Sequence, residues 1–327
     1  MPNLDFFVMN PPALQTPSQK PVAGFLLSLV AAGLWGILPI ALKELLAGMD
    51  ATTIVWYRFF AAGLVLTAWL AVKGNLPNLV KAAPSVRWIL IIAALGLCAN
   101  YSLFSQSLNY VNGETSEAVI QLTTLFLILG GVIFYKEPFD GIQKLGTALI
   151  IVGLILFFHD RLASFGSFEN QETIGVLIVF VAAVTWTVYA LLQKKLLKSF
   201  SSVQILFLIY AFSIVVLLPF VSPAKLFQLS SFELALLGFC CINTLIAYGC
   251  FAEALNLWDA SKVSAVLALA PLFTIGTLKV IVFFDPGYAF SDRLTIISLM
   301  GAAFLVVGSV LAALMPVIKY KLRQKYR

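Results

Sequence analysis

The chain is 327 residues long, 61% hydrophobic and only 11% charged, with a mean hydropathy of +0.98 and a net charge of +6. Soluble domains carry about 25% charged residues, so water is not the solvent for most of this surface. Apolar runs near the roughly 20 residues a helix needs to cross the hydrocarbon recur almost without pause, which excludes a β-barrel of short alternating strands.

In chain order, residues 1–21 carry Pro11, Pro12, Pro17 and Pro21 with few charges, a composition that suits a flexible tail. Phe6-Phe7-Val8-Met9 is too short for the apolar core of a cleaved signal. Ten spans are then expected, over 22–42, 52–72, 88–109, 114–135, 142–159, 172–193, 203–221, 233–256, 262–284 and 293–315. Short breaks separate them, punctuated by Gly74-Asn75-Leu76-Pro77, Asn112-Gly113, Glu137-Pro138, Ser222-Pro223 and Asp285-Pro286-Gly287. No loop is long enough to hold a soluble domain. Within spans, Pro39 and Pro271 can loosen the helix, Pro271 as a mid-span hinge, whereas Pro219 sits near a helix end. Gly130-Gly131, Gly301 and Gly308 are read as permitting close helix contact. Residues 316–327 form a basic tail suited to anionic headgroups.

Orientation follows from Lys and Arg. With the amino terminus in the cytoplasm, the inside loops and tails collect Lys20, Lys73, Lys81, Arg87, Lys136, Lys144, Lys194, Lys195, Lys198, Lys262, Lys319, Lys321, Arg323, Lys325 and Arg327. The outside loops hold only Lys43, Arg161, Lys225 and Arg293. The positive-inside rule then puts both termini in the cytoplasm of a multi-pass inner (plasma) membrane protein. The basic residues are strung along one membrane face, which argues against a nucleic-acid partner. Cys98, Cys240, Cys241 and Cys250 lie in spans, so neither a disulfide framework nor a metal spacing is present, and His159 is a helix-end residue.

The chain repeats itself. Gly24 to Trp35 aligns with Gly175 to Trp186, sharing glycine, leucine, Val-Ala-Ala and tryptophan, and Lys43-Glu-Leu-Leu46 continues against Lys194-Lys-Leu-Leu197. Phe104-Ser-Gln106-Ser-Leu108-Asn109 aligns with Phe251-Ala-Glu253-Ala-Leu255-Asn256, and Glu137-Pro138 with Asp285-Pro286. The expected units are 22–159 and 172–315. Each holds five spans, an odd number, so the second enters the membrane inverted. Inverted repeats place a substrate site near the midplane where the halves meet. The fold class is therefore all-α integral membrane, ten transmembrane helices in two inverted five-helix repeats.

These residues resemble a family. Leu34-Trp35-Gly36-Ile-Leu-Pro-Ile40-Ala41-Leu42-Lys43 is similar to the first-span signature of EamA-type transporters in the drug/metabolite transporter superfamily. Arg58-Phe59 with Ala61-Ala62, Trp186-Thr-Val-Tyr189 with Lys194-Lys195-Leu196, Ala270-Pro271-Leu272-Phe273 and Lys136-Glu137-Pro138-Phe139 resemble its later motifs. The sequence departs at Thr124, where a proline equivalent to Pro271 is expected, and at Asp285, where glutamate is. The resemblance implies export or exchange of small metabolites, often amino acids, through a central cavity.

Polar and aromatic side chains at mid-depth are the candidates to line that cavity, because polar groups in hydrocarbon face a cavity or a partner. They are Trp35, Asn100, Tyr101, Thr123, Thr124, Trp186, Tyr189, Asn243, Thr244 and Tyr248, with Pro271 at the repeat interface. Interhelical hydrogen bonding is the alternative for the Thr and Asn residues. Gln106 and Glu253, equivalent in the repeat, are gate candidates or helix caps. Arg58 is expected to pair with Glu44 or Glu117, or else to bind a substrate carboxylate; Lys279 sits late in its span.

No phosphate loop, nucleotide fingerprint or catalytic set appears, so neither an enzyme nor a cofactor or metal is expected. The function expected is secondary transport of a small metabolite by alternating access, in contact with the lipid bilayer. A nucleotide-sugar or sugar-phosphate antiporter and a non-transporting receptor or scaffold are the alternatives. Substrate, direction, coupling and oligomeric state are not written in the sequence.

Overall fold

The computed structural model describes residues 20–80, 82–136, 139–162, 165, 167, 169–258 and 260–325, without the side chains of 252, 255, 256, 260–262 and 314–325. Residues 1–19 of the tail expected over 1–21 and the Glu137-Pro138 motif lie outside them, and Pro21, expected in that tail, instead opens the first helix. The described residues form twelve α-helices: α1 (Pro21–Leu45), α2 (Ala51–Val72), α3 (Pro84–Ser107), α4 (Gly113–Ile120), α5 (Leu122–Tyr135), α6 (Gly141–Phe157), α7 (Gln171–Leu196), α8 (Ser202–Leu217), α9 (Ser231–Leu257), α10 (Ala260–Leu267), α11 (Ala270–Phe284) and α12 (Ile296–Lys325). Nine stretches among them are long and apolar enough to cross a membrane, with α4–α5 and α10–α11 each counted as one. The fifth expected span is α6, which is shorter, at 17 residues. The segment expected as a basic tail continues α12 as helix to Lys325.

Local sequence explains where the helices begin. Pro21 and Pro84 open α1 and α3, where a missing N–H costs nothing. Asp50 caps α2, and Asp140-Gln143, Ser201-Gln204 and Ser230-Glu233 form reciprocal capping boxes at α6, α8 and α9. The breaks inside two spans have different causes. Pro271, in the first turn of α11, has no N–H to return to the preceding turn, and the helix is interrupted at Ala268 and Leu269. The α4–α5 break is a single residue, Gln121, and has no proline nearby.

The principal pairings are α1 with α9, α3 with α7, α2 with α8, and α6 with α12. The last is a glycine seam. A Cβ on Gly153 would lie 2.7 Å from Leu305 N and 2.8 Å from Gly301 O, and one on Gly146 would lie 2.6 Å from Gly308 O. Only bare backbone allows the two helices this close. At one end of the bundle, here the near face, Lys20 N–H donates to Leu257 O and Gln204 Nε2 to Asn75 O. At the opposite, far face, the α1–α2, α3–α4, α6–α7, α8–α9 and α11–α12 connections meet.

Candidate functional site

The bundle centre is aromatic. Phe59, Tyr101, Tyr189, Tyr210 and Tyr248 are buried in one cluster, with Trp35, Trp186 and Phe251 packed against it. Trp35 meets Tyr248 edge-on at 5.2 Å between ring centroids and Phe251 at 5.7 Å. Tyr101 stacks on Tyr248 at 6.2 Å and lies 4.7 Å from Phe59, while Trp186 meets Tyr189 at 6.5 Å. All five expected aromatic residues, Trp35, Tyr101, Trp186, Tyr189 and Tyr248, are thereby brought together from α1, α3, α7 and α9.

Arg58 enters this cluster from α2 and is 3% exposed. Its Nε donates to Thr244 Oγ1 at 2.9 Å, and its guanidinium carbon lies 4.6 Å from the centre of the Tyr101 ring. The Thr244 hydroxyl donates in turn to Cys240 O at 2.9 Å, which leaves its lone pairs turned towards the arginine. Among the described residues no carboxylate lies within 4.0 Å of Arg58. The expected pairing with Glu44 or Glu117 is therefore not formed. Both acids lie at the far end of the bundle, whereas Arg58 points into its aromatic interior. A guanidinium offers five N–H donors, and among the described residues only Nε meets a protein acceptor. Cation–π contact offsets part of the cost of burying the charge. A guanidinium fork is the geometry that takes a carboxylate in two parallel hydrogen bonds.

The amides next to this centre have two kinds of work. Asn100 Nδ2 donates to Ala182 O at 2.9 Å, tying α3 to α7. Asn243 Nδ2 donates to Leu34 O at 2.6 Å, tying α9 to α1, while its buried Oδ1 has no protein partner. Thr274 Oγ1 donates to Gly36 O at 2.6 Å and holds α11 on α1, close to the buried Pro271. Thr123 and Thr124 are half-buried on α5.

A second polar constellation closes the far face, and sequence reasoning missed it. Asp292 is its hub. It accepts from Asn112 Nδ2 at 3.0 Å, Thr115 N at 3.1 Å and Thr115 Oγ1 at 2.7 Å. Arg161 joins Glu172 in a short ion pair and lies 4.0 Å from Asp292. Glu114 Oε1 accepts from Ser291 Oγ at 2.7 Å and Asp292 N at 3.3 Å. Lys43 Nζ caps the carbonyls of Leu108 and Val111. Nothing marked Asp292 beforehand except its place in a loop rich in polar residues, because its partners are about 180 positions away.

The other gate candidates separate. Gln106 is exposed and lines an open pocket of about 490 Å³ at the far face, with Asn109, Tyr110, Asp50 and Lys225. Glu253 is exposed near the near-face end of α9, and Lys279 is exposed on α11. Asp50 and Lys225 join at 3.2 Å. Partial burial pushes the Asp50 carboxyl up, but hydrogen bonds from Thr53 N and Oγ1 and from Lys225 outweigh it and hold the group below the usual carboxylate range.

The sequence pattern of the "EamA-like transporter family" matches residues 22–159 and 173–314. An "uncharacterized transporter" of Haemophilus influenzae is 41% identical over 296 residues, 90% of this chain and 96% of that one. The "uncharacterized inner membrane transporter YhbE" of Escherichia coli is 37% identical over 298 residues, 90% and 92% of the two chains. A "probable amino-acid metabolite efflux pump" of Escherichia coli is 21% identical, covering 86% and 92%. A solved crystal structure superimposes with a TM-score of 0.61 at 18% identity, covering 90% of this chain and 98% of that one, a likeness of fold alone.

Proposed function

The chain belongs to the EamA-like transporter family, a membrane transporter by kinship, and from that premise we propose that it moves a small carboxylate-bearing metabolite of the amino-acid type through the aromatic centre. The observation that carries this reading is Arg58, a buried cation with a free fork of donors and no carboxylate partner among the described residues. Its charge calls for an anion from the cargo, and the surrounding Trp and Tyr faces suit an apolar or aromatic side chain. The relative named an amino-acid metabolite efflux pump agrees in chemistry. A nucleotide-sugar or sugar-phosphate cargo fits less well, because such anions call for several buried cations and, among the described residues, Arg58 is the one cation at the aromatic centre.

Ten spans in two inverted five-span units, 22–159 and 172–315, are part of the proposal, with α6 as the fifth span and both termini cytoplasmic. Several features support it. The α4–α5 break at Gln121 and the α10–α11 break at Ala268 coincide in the register that sets Phe104 against Phe251. The α1–α9 pairing becomes the α7–α3 pairing when the units are exchanged, and α2–α8 and α6–α12 map onto themselves. Interrupted helices at a repeat interface are where such transporters place their cargo. In this orientation the Asp292 constellation is an outer closure, to be broken when the cavity opens outward.

The test is flux in proteoliposomes that contain the full chain, loaded with labelled L-amino acids. Exchange inhibited by free amino acids but not by their amides is expected. Equal inhibition by amides would remove the carboxylate–Arg58 contact, and no flux of any small acid by folded protein would remove the transport reading.

A further inference from the structure

The short helix α4 and Gln121, the break that follows it, carry a polar stripe that neither the aromatic centre nor the far-face closure uses in full. Glu114, Glu117 and Gln121 stand at positions i, i+3 and i+7, which at 3.6 residues per turn fall on one face. All three are buried, in a segment apolar enough to cross the membrane. The two ends of the stripe are anchored. Glu114 Oε1 is held by Ser291 and the Asp292 backbone, and Gln121 Oε1 accepts from Ser309 Oγ of α12 at 3.2 Å. The middle is not. Glu117 is 5% exposed and has no hydrogen bond and no ion pair among the described residues. The second oxygen of Glu114, Oε2, is buried and also without a partner.

Among the described residues, no neighbour supplies a counter-charge. From α1, Lys43 is spent on the carbonyls of Leu108 and Val111, and Glu44 is of the same sign. At α7, Glu172 is joined to Arg161, which also reaches Asp160 and Asp292. Lys279 of α11 is exposed, and the titratable residue of α6, Lys144, is in its first turn at the other end. Arg293 donates to Pro286 O, outside the helices, and His159 Nδ1 bonds Leu156 O. A carboxylate isolated in hydrocarbon is among the most costly arrangements a protein can hold, and where it persists it marks an ion or proton path.

We propose that Glu117 is a proton-binding site, reached from the far face through Glu114, and that its protonation is exchanged once per transport cycle. The inference rests on the transport reading for its purpose but not for its geometry. Opening the far face separates the 291–292 loop from Glu114, which exposes the stripe to water and lets Glu117 release or take its proton. Closing it returns the carboxyl to the apolar interior. Proton and cargo use different side chains, Glu117 on α4 and Arg58 on α2, so a change at one can leave the other intact.

Infrared titration of the full chain in proteoliposomes tests this without any cargo. A protonated-carboxyl band that disappears with rising pH, and is missing from Glu117→Gln, is expected; a band unaffected by the substitution would overturn the site. Glu117→Asp, which must shift the band, serves if the glutamine variant does not fold. Flux of the labelled amino-acid mixture gives the second readout. In wild-type vesicles an imposed pH gradient is expected to raise net flux at least about tenfold over exchange without a gradient, and Glu117→Gln to lose that stimulation while keeping exchange. Gradient stimulation that survives in Glu117→Gln would overturn the coupling role. Absent flux with an intact Glu117 band would instead strike the transport reading and leave the proton site standing.

Discussion

Replacing Arg58 by glutamine separates a binding arginine from a structural one. The side chain engages the protein through a single hydrogen bond, Nε to Thr244 Oγ1 at 2.9 Å, and one ring contact with Tyr101. Losing that bond costs about 1.5–3 kcal/mol, but removing an unpaired buried charge returns a desolvation cost of similar size. Stability in detergent is therefore expected to change by less than about 2 kcal/mol, and Arg58→Gln should fold. Binding is different. A bidentate contact between a desolvated guanidinium and a carboxylate is worth about 2–5 kcal/mol, and each 1.4 kcal/mol is tenfold in affinity. Half-maximal exchange in proteoliposomes should rise by about 30-fold or more for free amino acids, and hardly at all for their amides. Lysine restores the charge without the planar fork, so Arg58→Lys should recover only part of the loss. A folded Arg58→Gln protein with wild-type concentration dependence would refute the reasoning; so would one that fails to fold while Arg58→Lys is fully active.

Other outcomes follow from the same geometry. Gly153→Ala puts a methyl 2.7 Å from Leu305 N and 2.8 Å from Gly301 O, so α6 and α12 must part; a loss of about 1–3 kcal/mol is expected in thermal unfolding. Gly249→Ala, in a helix and with nothing within 4 Å, should be neutral or stabilising by up to about 1 kcal/mol in the same assay. Asp292→Ala strands Asn112 and Thr115, and should speed maleimide labelling of a cysteine introduced at the buried Ser116 by about tenfold or more, as three partly buried hydrogen bonds are lost. Asp50→Ala removes the α2 cap and should cost about 0.5–2 kcal/mol. Because the Asp50 carboxyl is held below its usual range, its contribution is present above the unfolded-state value and fades as pH falls through the lowered one. The melting-temperature gap between wild type and Asp50→Ala should therefore narrow in acid.

Much of the architecture was legible because hydrocarbon imposes it. Span positions follow from apolar run length, and helix starts from Pro21, Pro84, Asp50 and Ser230, each a local signal. Of the glycine seam, Gly301 and Gly308 are read from the sequence as close-contact positions, and the structure adds Gly146 and Gly153 opposite them. Meeting of the aromatic residues was legible only through the repeat, which set Trp35 against Trp186. Three things were not. The α4–α5 break at Gln121 carries no proline or glycine to announce it. The pairing of Arg58 was misjudged because depth along a helix ranks acids by height but says nothing about which way each faces. The Asp292 hub depends on partners from distant loops, and no spacing within one segment encodes that.

The two proposed units differ at the residues of the proposed cargo site. In the register that sets Gly24 against Gly175, Arg58 corresponds to Ile209, a fully buried apolar residue of α8. In the register that sets Phe104 against Phe251, Thr244 corresponds to Leu97 and Asn243 to Gly96. Gly96 lets α3 approach α7 so closely that a Cβ would lie 2.9 Å from Thr185 O, whereas Asn243 reaches across to Leu34 O with its amide and leaves Oδ1 free. At each of these positions one unit supplies close packing where the other supplies a polar group: the first unit gives the cation, the second the hydroxyl and the unmet acceptor. Under the proposed function a zwitterionic cargo needs an arginine for its carboxylate and acceptors for its ammonium, and Arg58, Thr244 and Asn243 offer both kinds. Asn243→Leu should accordingly weaken binding of amino acids while sparing acids that lack the amine. Equal losses for both would mean that the amide only ties α9 to α1.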